Sequence, residues 1–79
     1  MNLDLEIDTS GLNCPLPILR AKKALAQLQS GQLLRVIATD PGAWRDFEAF
    51  TRQTGHTLVS RERQVEGQVE RLVFCILRR

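Results

Sequence analysis

The feature that most narrows what this chain can fold into is a change of hydrophobic period near its start. Leu3, Leu5 and Ile7 alternate with Asp4, Glu6 and Asp8, the period-two signature of a half-buried strand. "TSGLN" reads as a turn. From Pro15 onward, Ile18, Ala21, Ala24, Leu25 and Leu28 recur at steps of three and four, which draws one apolar stripe along a helix. Arg20, Lys23 and Gln27 fall mainly on its other faces. "QSGQ" is expected to end this helix, with Gly31 as a left-handed cap. The aliphatic run "LLRVIAT", residues 33–39, is a second strand. In "DPGAW", Asp40 reads as an N-cap and Pro41 as the first residue of a second helix. Ala43, Phe47 and Phe50 continue that helix, and Gly55 closes it. "HTLVSRERQ" and "VERLVFCIL" are a third and a fourth strand around the hairpin turn "EGQ".

The order βαβαββ, with one apolar stripe per helix, predicts an α+β fold. It is a two-layer α/β sandwich: a four-stranded mixed sheet with two helices on one face. At 79 residues the chain reads as a single domain, 1–79. The face left uncovered is expected to include some of Leu33, Arg35, Ile37, Val73, Cys75 and Leu77. That is either a partner or dimer surface or a scatter of exposed aliphatics.

A domain of this size buries only about 60–65% of its unfolded surface, and no disulfide framework supports it. The two cysteines, Cys14 and Cys75, lie at opposite ends, which points to a reducing cytoplasm. "MNLDLEID" has neither the basic start nor the apolar core of a signal peptide. No apolar run approaches the roughly 20 residues that span a bilayer. The net charge of +2, with both signs scattered, describes an ordinary soluble surface. Trp44, Phe47 and Phe50 are bunched together and do not resemble a base-stacking platform. Trp44 reads as core or rim and His56 as a loop histidine. With Cys14 and Cys75, His56 has no metal-ligand spacing, so no metal is expected.

Chemistry concentrates at Cys14. Placed at the N-cap, with Pro15, Leu16 and Pro17 as the first helical positions, its sulfur would sit on a rigid mount at the positive end of a helix dipole. Thiol pKa values in such settings fall from about 8.5 into a range of roughly 3.5–7.5. Cysteine is a poor N-cap, which weighs toward reactivity and against simple burial. No general base is evident near the motif. Cys75, inside "LVFCIL", reads as a structural thiol.

"DTSGLNCPLPILRAKKAL" resembles the signature of the TusA/SirA-like family of small sulfur-carrier proteins. The matching elements are Asp8, Gly11-Leu12, Cys14-Pro15-x-Pro17 and the pair Lys22-Lys23. "TDPGAWRDFEAF" resembles the family's second helix start at Asp40, Pro41, Arg45 and Asp46. The resemblance implies the same βαβαββ sandwich. It implies that Cys14 accepts sulfane sulfur as a persulfide from a donor such as a cysteine desulfurase or a rhodanese, and hands it to an acceptor protein. Gly11, Leu12, Pro15 and Pro17 would support the motif. No cofactor is implied beyond the covalent sulfur itself. The resemblance implies a sulfurtransferase-type carrier rather than a classical turnover enzyme. Asp40 matches a position implicated in partner contact or sulfur transfer. Arg20, Lys22 and Lys23 could steer an acidic partner or a tRNA backbone, and Arg45 could touch a partner. Leu16 stands where some members carry glutamate, so no acid is expected beside the sulfur. The pathway stays open among tRNA thiolation, molybdenum-cofactor sulfuration, sulfur oxidation and selenium metabolism. A monomer or weak homodimer away from membranes is expected. Two other readings compete: a regulatory or nucleic-acid-binding module, and a thiol redox sensor.

Overall fold

A computed structural model describes residues 2–79. Its elements run β1 (Leu5–Thr9), α1 (Leu16–Ala26), β2 (Leu33–Ala38), α2 (Ala43–Thr54), β3 (Thr57–Glu66) and β4 (Val69–Leu77). The four strands form one sheet in the order β1-β2-β4-β3. β1 and β2 are parallel, and β4 runs antiparallel to both β2 and β3. β1, β2 and β3 therefore point the same way, and the hairpin inserts β4 between the last two. Both crossovers, β1 to β2 and β2 to β3, step in the same direction across the sheet. Right-handed crossovers taken in one direction put both helices on one face, as the hydrophobic pattern predicts.

The core lies between that face and the helices. Leu34, Val36 and Ala38 from β2 and Leu72, Phe74 and Ile76 from β4 meet Ala21, Ala24 and Leu25 of α1 and Ala43, Phe47 and Phe50 of α2. Phe47 stacks on Phe74 with centroids 4.5 Å apart. Removing such a side chain from water contributes about 1.5–3 kcal/mol. The alanines of α1 let its backbone approach the strands closely, and buried Pro17 joins them at its start. Thr9, also buried, donates its hydroxyl to the Ile37 carbonyl at 2.6 Å and ties β1 to β2.

The open face carries Arg35, Ile37, Val73, Cys75 and Leu77 at partial exposure, while Leu33 is buried. An ion pair between Arg35 and Glu6, 3.2 Å long, crosses the paired strands there. Polar groups thus interrupt the aliphatics.

Three helix boundaries differ from the sequence expectation, and the ends of β1, β2 and β3 move by one or two residues. The first helix ends at Ala26 with Gln27 as its cap, and Leu28 N–H bonds back to the Leu25 carbonyl at 3.1 Å. Gly31, at φ 85°, instead turns the chain beneath β4, its N–H donating to the Arg78 carbonyl at 3.0 Å. Neither helix start falls where the capping pattern puts it: Pro15 caps α1 and Gly42 caps α2. Cys14 and Asp40 are each displaced outward from the helix they were expected to cap.

Candidate functional site

Parallel pairing builds the site. Thr9 at the end of β1 is registered with Ala38 at the end of β2, so the loops that follow both strands leave the sheet side by side. One loop carries Cys14 and the other Asp40. Carboxyl ends of adjacent parallel strands are where α/β sheets gather their functional groups.

The first loop is stitched to the second. Gly11, at φ 81°, is in the left-handed region that glycine enters without penalty. Its N–H donates to Thr39 Oγ1 at 2.8 Å, and Leu12 N–H donates to the Thr9 carbonyl at 3.1 Å. The Cys14 N–H donates to Asp40 Oδ2 at 2.8 Å, while Asp40 Oδ1 accepts from Gly42 N–H at 3.3 Å. Asp40 is thus a clamp: one oxygen steadies the approach to α2 and the other holds the reactive residue. Thr39 was not singled out in the sequence, because its role exists only once the two loops are neighbours.

Cys14 is exposed and unpaired, and its peptide bond to Pro15 is cis. The helix begins at Leu16, whose N–H bonds the Asn13 carbonyl at 2.9 Å. The sulfur-bearing residue stands one position outside the N-cap, beyond where the dipole acts most strongly.

The acids nearby reverse the expected electrostatics. Asp46 projects from the first turn of α2 into the same shallow groove as Cys14, with Pro15, Ile18, Ala49 and Phe50 around it. Its carboxylate is the largest influence on Cys14; some desolvation and the charges of Asp46 and Asp40 follow. All push the thiol pKa up. A β-carbon on Gly42 would lie 3.6 Å from Asp40 Oδ2 and 3.7 Å from Asp46 Oδ2, so the two carboxylates bracket one point. The expected depression of the thiol pKa meets a local field of the opposite sign, because two acids push it up and the sulfur lies one position beyond the helix N-cap. A further expectation falls. Acids do lie near the sulfur despite Leu16, and one carboxylate, Asp46, lines the same groove.

The basic candidates divide. Arg20 and Lys23 line a groove between α1 and β1 with Asp8. Lys22 turns the other way, toward α2 and the end of β4. None of the three lines the groove at Cys14. Arg45 is exposed on the first turn of α2. Leu16, the first residue of α1, is 43% exposed. Cys75 is on the sheet face away from the helices, registered with Arg35 and Ser60, so the sheet separates it from Cys14. Among the described residues no group of His, Cys, Asp and Glu could hold a metal ion.

Comparison with known proteins places this arrangement in context. The family model described as "Sulfurtransferase TusA" matches residues 5–75. A sulfur carrier protein TusA from Allochromatium vinosum is 61% identical over 66 residues, 84% of each chain. A putative sulfur carrier protein from Neisseria meningitidis is 66% identical over 58 residues, 73% of this chain and 78% of that one. The crystal structure of a SirA-like protein from Desulfitobacterium hafniense superposes with a TM-score of 0.71 at 27% identity, covering 94% of this chain and 96% of that one.

Proposed function

The chain belongs to the TusA family, and from that premise we propose that it is a sulfur carrier that loads and unloads on Cys14. The observation that carries this reading is the clamped, exposed cysteine: its backbone is held by Asp40 at 2.8 Å while its sulfur stays open to a partner.

Loading is an exchange between sulfurs. The Cys14 thiolate attacks the outer sulfur of the donor's persulfide. The bond between the donor's two sulfurs breaks, and the donor leaves as a thiolate. Cys14 then carries the sulfane sulfur. Unloading is the same step run toward an acceptor's thiolate, with no net oxidation. The attacking species must be the thiolate, and the free protein disfavours it. In this reading deprotonation belongs to docking: Asp46, in the same groove, takes the proton, and a cation from the partner neutralises the carboxylates. Once loaded, the negative charge moves to the terminal sulfur, about 2 Å farther out and less exposed to the two acids. A carrier whose thiol is protonated between encounters resists stray oxidation, since oxidation follows thiolate character. The donor is a protein persulfide of the kind a cysteine desulfurase or a rhodanese forms, and the covalent sulfur is the only cofactor. The place of work is the cytoplasm. The described structure contains no helix long and apolar enough to cross a membrane.

Incubation with a cysteine desulfurase and cysteine tests the reading. The Cys14 peptide should gain the mass of one sulfur atom, and reductant should remove it. Two added oxygens weigh nearly the same but resist reductant. A Cys14→Ser chain that still loads, or a wild-type chain that never does, sinks the carrier reading.

A further inference from the structure

The groove at Cys14 does not end at Cys14. Phe50 and Gln53 line it, and the same two residues line a second concavity of about 370 Å3 farther along the seam between α1 and α2. Lys22, His56, Arg78 and Arg79 converge on that second space, and no aspartate or glutamate lines it. The seam therefore has two ends of opposite sign: the thiol with Asp40 and Asp46 at one, four basic side chains at the other.

Two of the four basic groups, Arg78 and His56, are held in place. Arg78 Nε donates to the Leu25 carbonyl near the end of α1 at 2.9 Å, and its Nη1 donates to the backbone oxygen of Arg79 at 2.8 Å. The Arg79 N–H donates to His56 Nδ1 at 2.9 Å, so neutral His56 carries its proton on Nε2 and presents a donor. Burial first, then the charges of Arg78 and Arg79, lower the His56 pKa, in keeping with a positive local field. Groups already held in place lose little freedom when an anion arrives.

We propose that this seam is a docking track for an acidic segment of the sulfur-exchange partner, with its carboxylates among Lys22, His56, Arg78 and Arg79 while its sulfur meets Cys14. The proposal rests on the carrier reading and names the chemistry of the partner. From Leu16 to Lys22 the helix rises about 9 Å at 1.5 Å per residue. An extended chain covers roughly 3.3–3.6 Å per residue. The partner's acidic side chains thus begin about three positions from its cysteine. A protein segment fits better than RNA for two reasons. Of the two aromatic rings lining the track, Phe50 is only 9% exposed and His56 is half-buried against it with centroids 6.0 Å apart, which leaves no broad open face for base stacking. The two carboxylates at the thiol end would repel a phosphate backbone that ran the length of the seam.

The test uses the whole chain with Cys75→Ser, so that only Cys14 reports. The probe is a synthetic peptide whose single cysteine is a mixed disulfide with thionitrobenzoate and is followed, from the third position on, by three glutamates. Versions with glutamine or lysine in their place are the controls. Exchange is read by release of the coloured thiol. The glutamate peptide should react about tenfold faster than the glutamine one at low salt, and high salt should erase the advantage. Lys22→Glu and Arg79→Glu should abolish it. Lys23→Glu, the same charge change on the other side of α1, should leave it in place. Equal rates for glutamate and glutamine peptides overturn the proposal, and so does an oligoadenylate that blocks exchange better than an unactivated glutamate peptide. Should a variant fail to fold, the peptide series and the salt series on the parent chain decide alone. A chain that accepts sulfur from a desulfurase yet shows no charge preference loses only the docking track. One that shows the preference but never loads keeps the track and loses the carrier role.

Discussion

At Cys14 the decisive quantity is which neighbour supplies the field. A helix terminus contributes a fraction of a charge, whereas each aspartate contributes a whole one. Replacing Asp46 by asparagine removes the first cause of the upward pKa shift. The sign follows directly: less negative charge favours the thiolate, so the pKa falls. Alkylation of Cys14 by iodoacetamide at neutral pH should become several-fold faster, with the rate–pH profile displaced toward acid. An unchanged profile would show that Asp46 does not govern the thiol. Asp40→Ala releases the Cys14 and Gly42 N–H groups together. It should cost about 1 kcal/mol in denaturant unfolding and broaden the amide resonances of residues 11–14. Sequence reasoning found Asp40 by its capping pattern, which accounts for the Oδ1 bond to Gly42 but not for the Oδ2 bond to Cys14. Asp46 matched the family pattern but received no role. Whether it faces the sulfur depends on how α2 is rotated over the sheet, and local spacing does not encode that.

Among the elements, α2 does the most. It carries Phe47 into the core, Asp46 to the thiol and Trp44 to β3, where Arg61 and Arg63 lie 4.3 and 4.2 Å from the indole centroid. Phe47→Ala should cost about 3–5 kcal/mol in chemical denaturation, a large share of what a chain this short has. Sulfur loading should fall with the folded fraction and not before it. The hairpin of β3 and β4 extends past β2, which pairs only with Leu72–Leu77 of β4. Its tip, with Val65 67% and Val69 50% exposed, is the least supported part of the sheet. Strand and helix identity was legible along the chain, since each element shows its own period. The starts of α1 and α2 were not. Cys14 and Asp40 satisfy capping chemistry on paper, but their bond to each other pulls both out of cap positions.

Across the whole molecule, the sheet divides two cysteines with different prospects. Cys75→Ser should leave loading by a desulfurase unchanged, because Cys75 opens on the face opposite the helices. A Cys14–Cys75 disulfide found on oxidation of the monomer would contradict this layout. The link between β4's end and the loop before β3 also makes stability depend on pH. The His56 pKa is lowered in the folded state, so the unfolded chain binds the proton more readily. Stability is then full above the unfolded value near 6.5 and declines as pH falls below it, until the folded histidine titrates too. Melting temperature should show this slope on acidification, and His56→Gln should flatten it in that window.

Hydrophobic period, turn residues and length determined the element types, their order, the single helical layer and the identity of the reactive residue. These are properties of neighbours along the chain, and the chain displays them. Tertiary structure alone decided the direction in which the pKa of that residue is pushed and the polarity of the seam beside it. The field at a sulfur is a sum over distances in space. Parallel pairing of β1 with β2, and the seating of α2 above them, brought two carboxylates to the thiol from far along the chain and gathered four basic side chains at the other end.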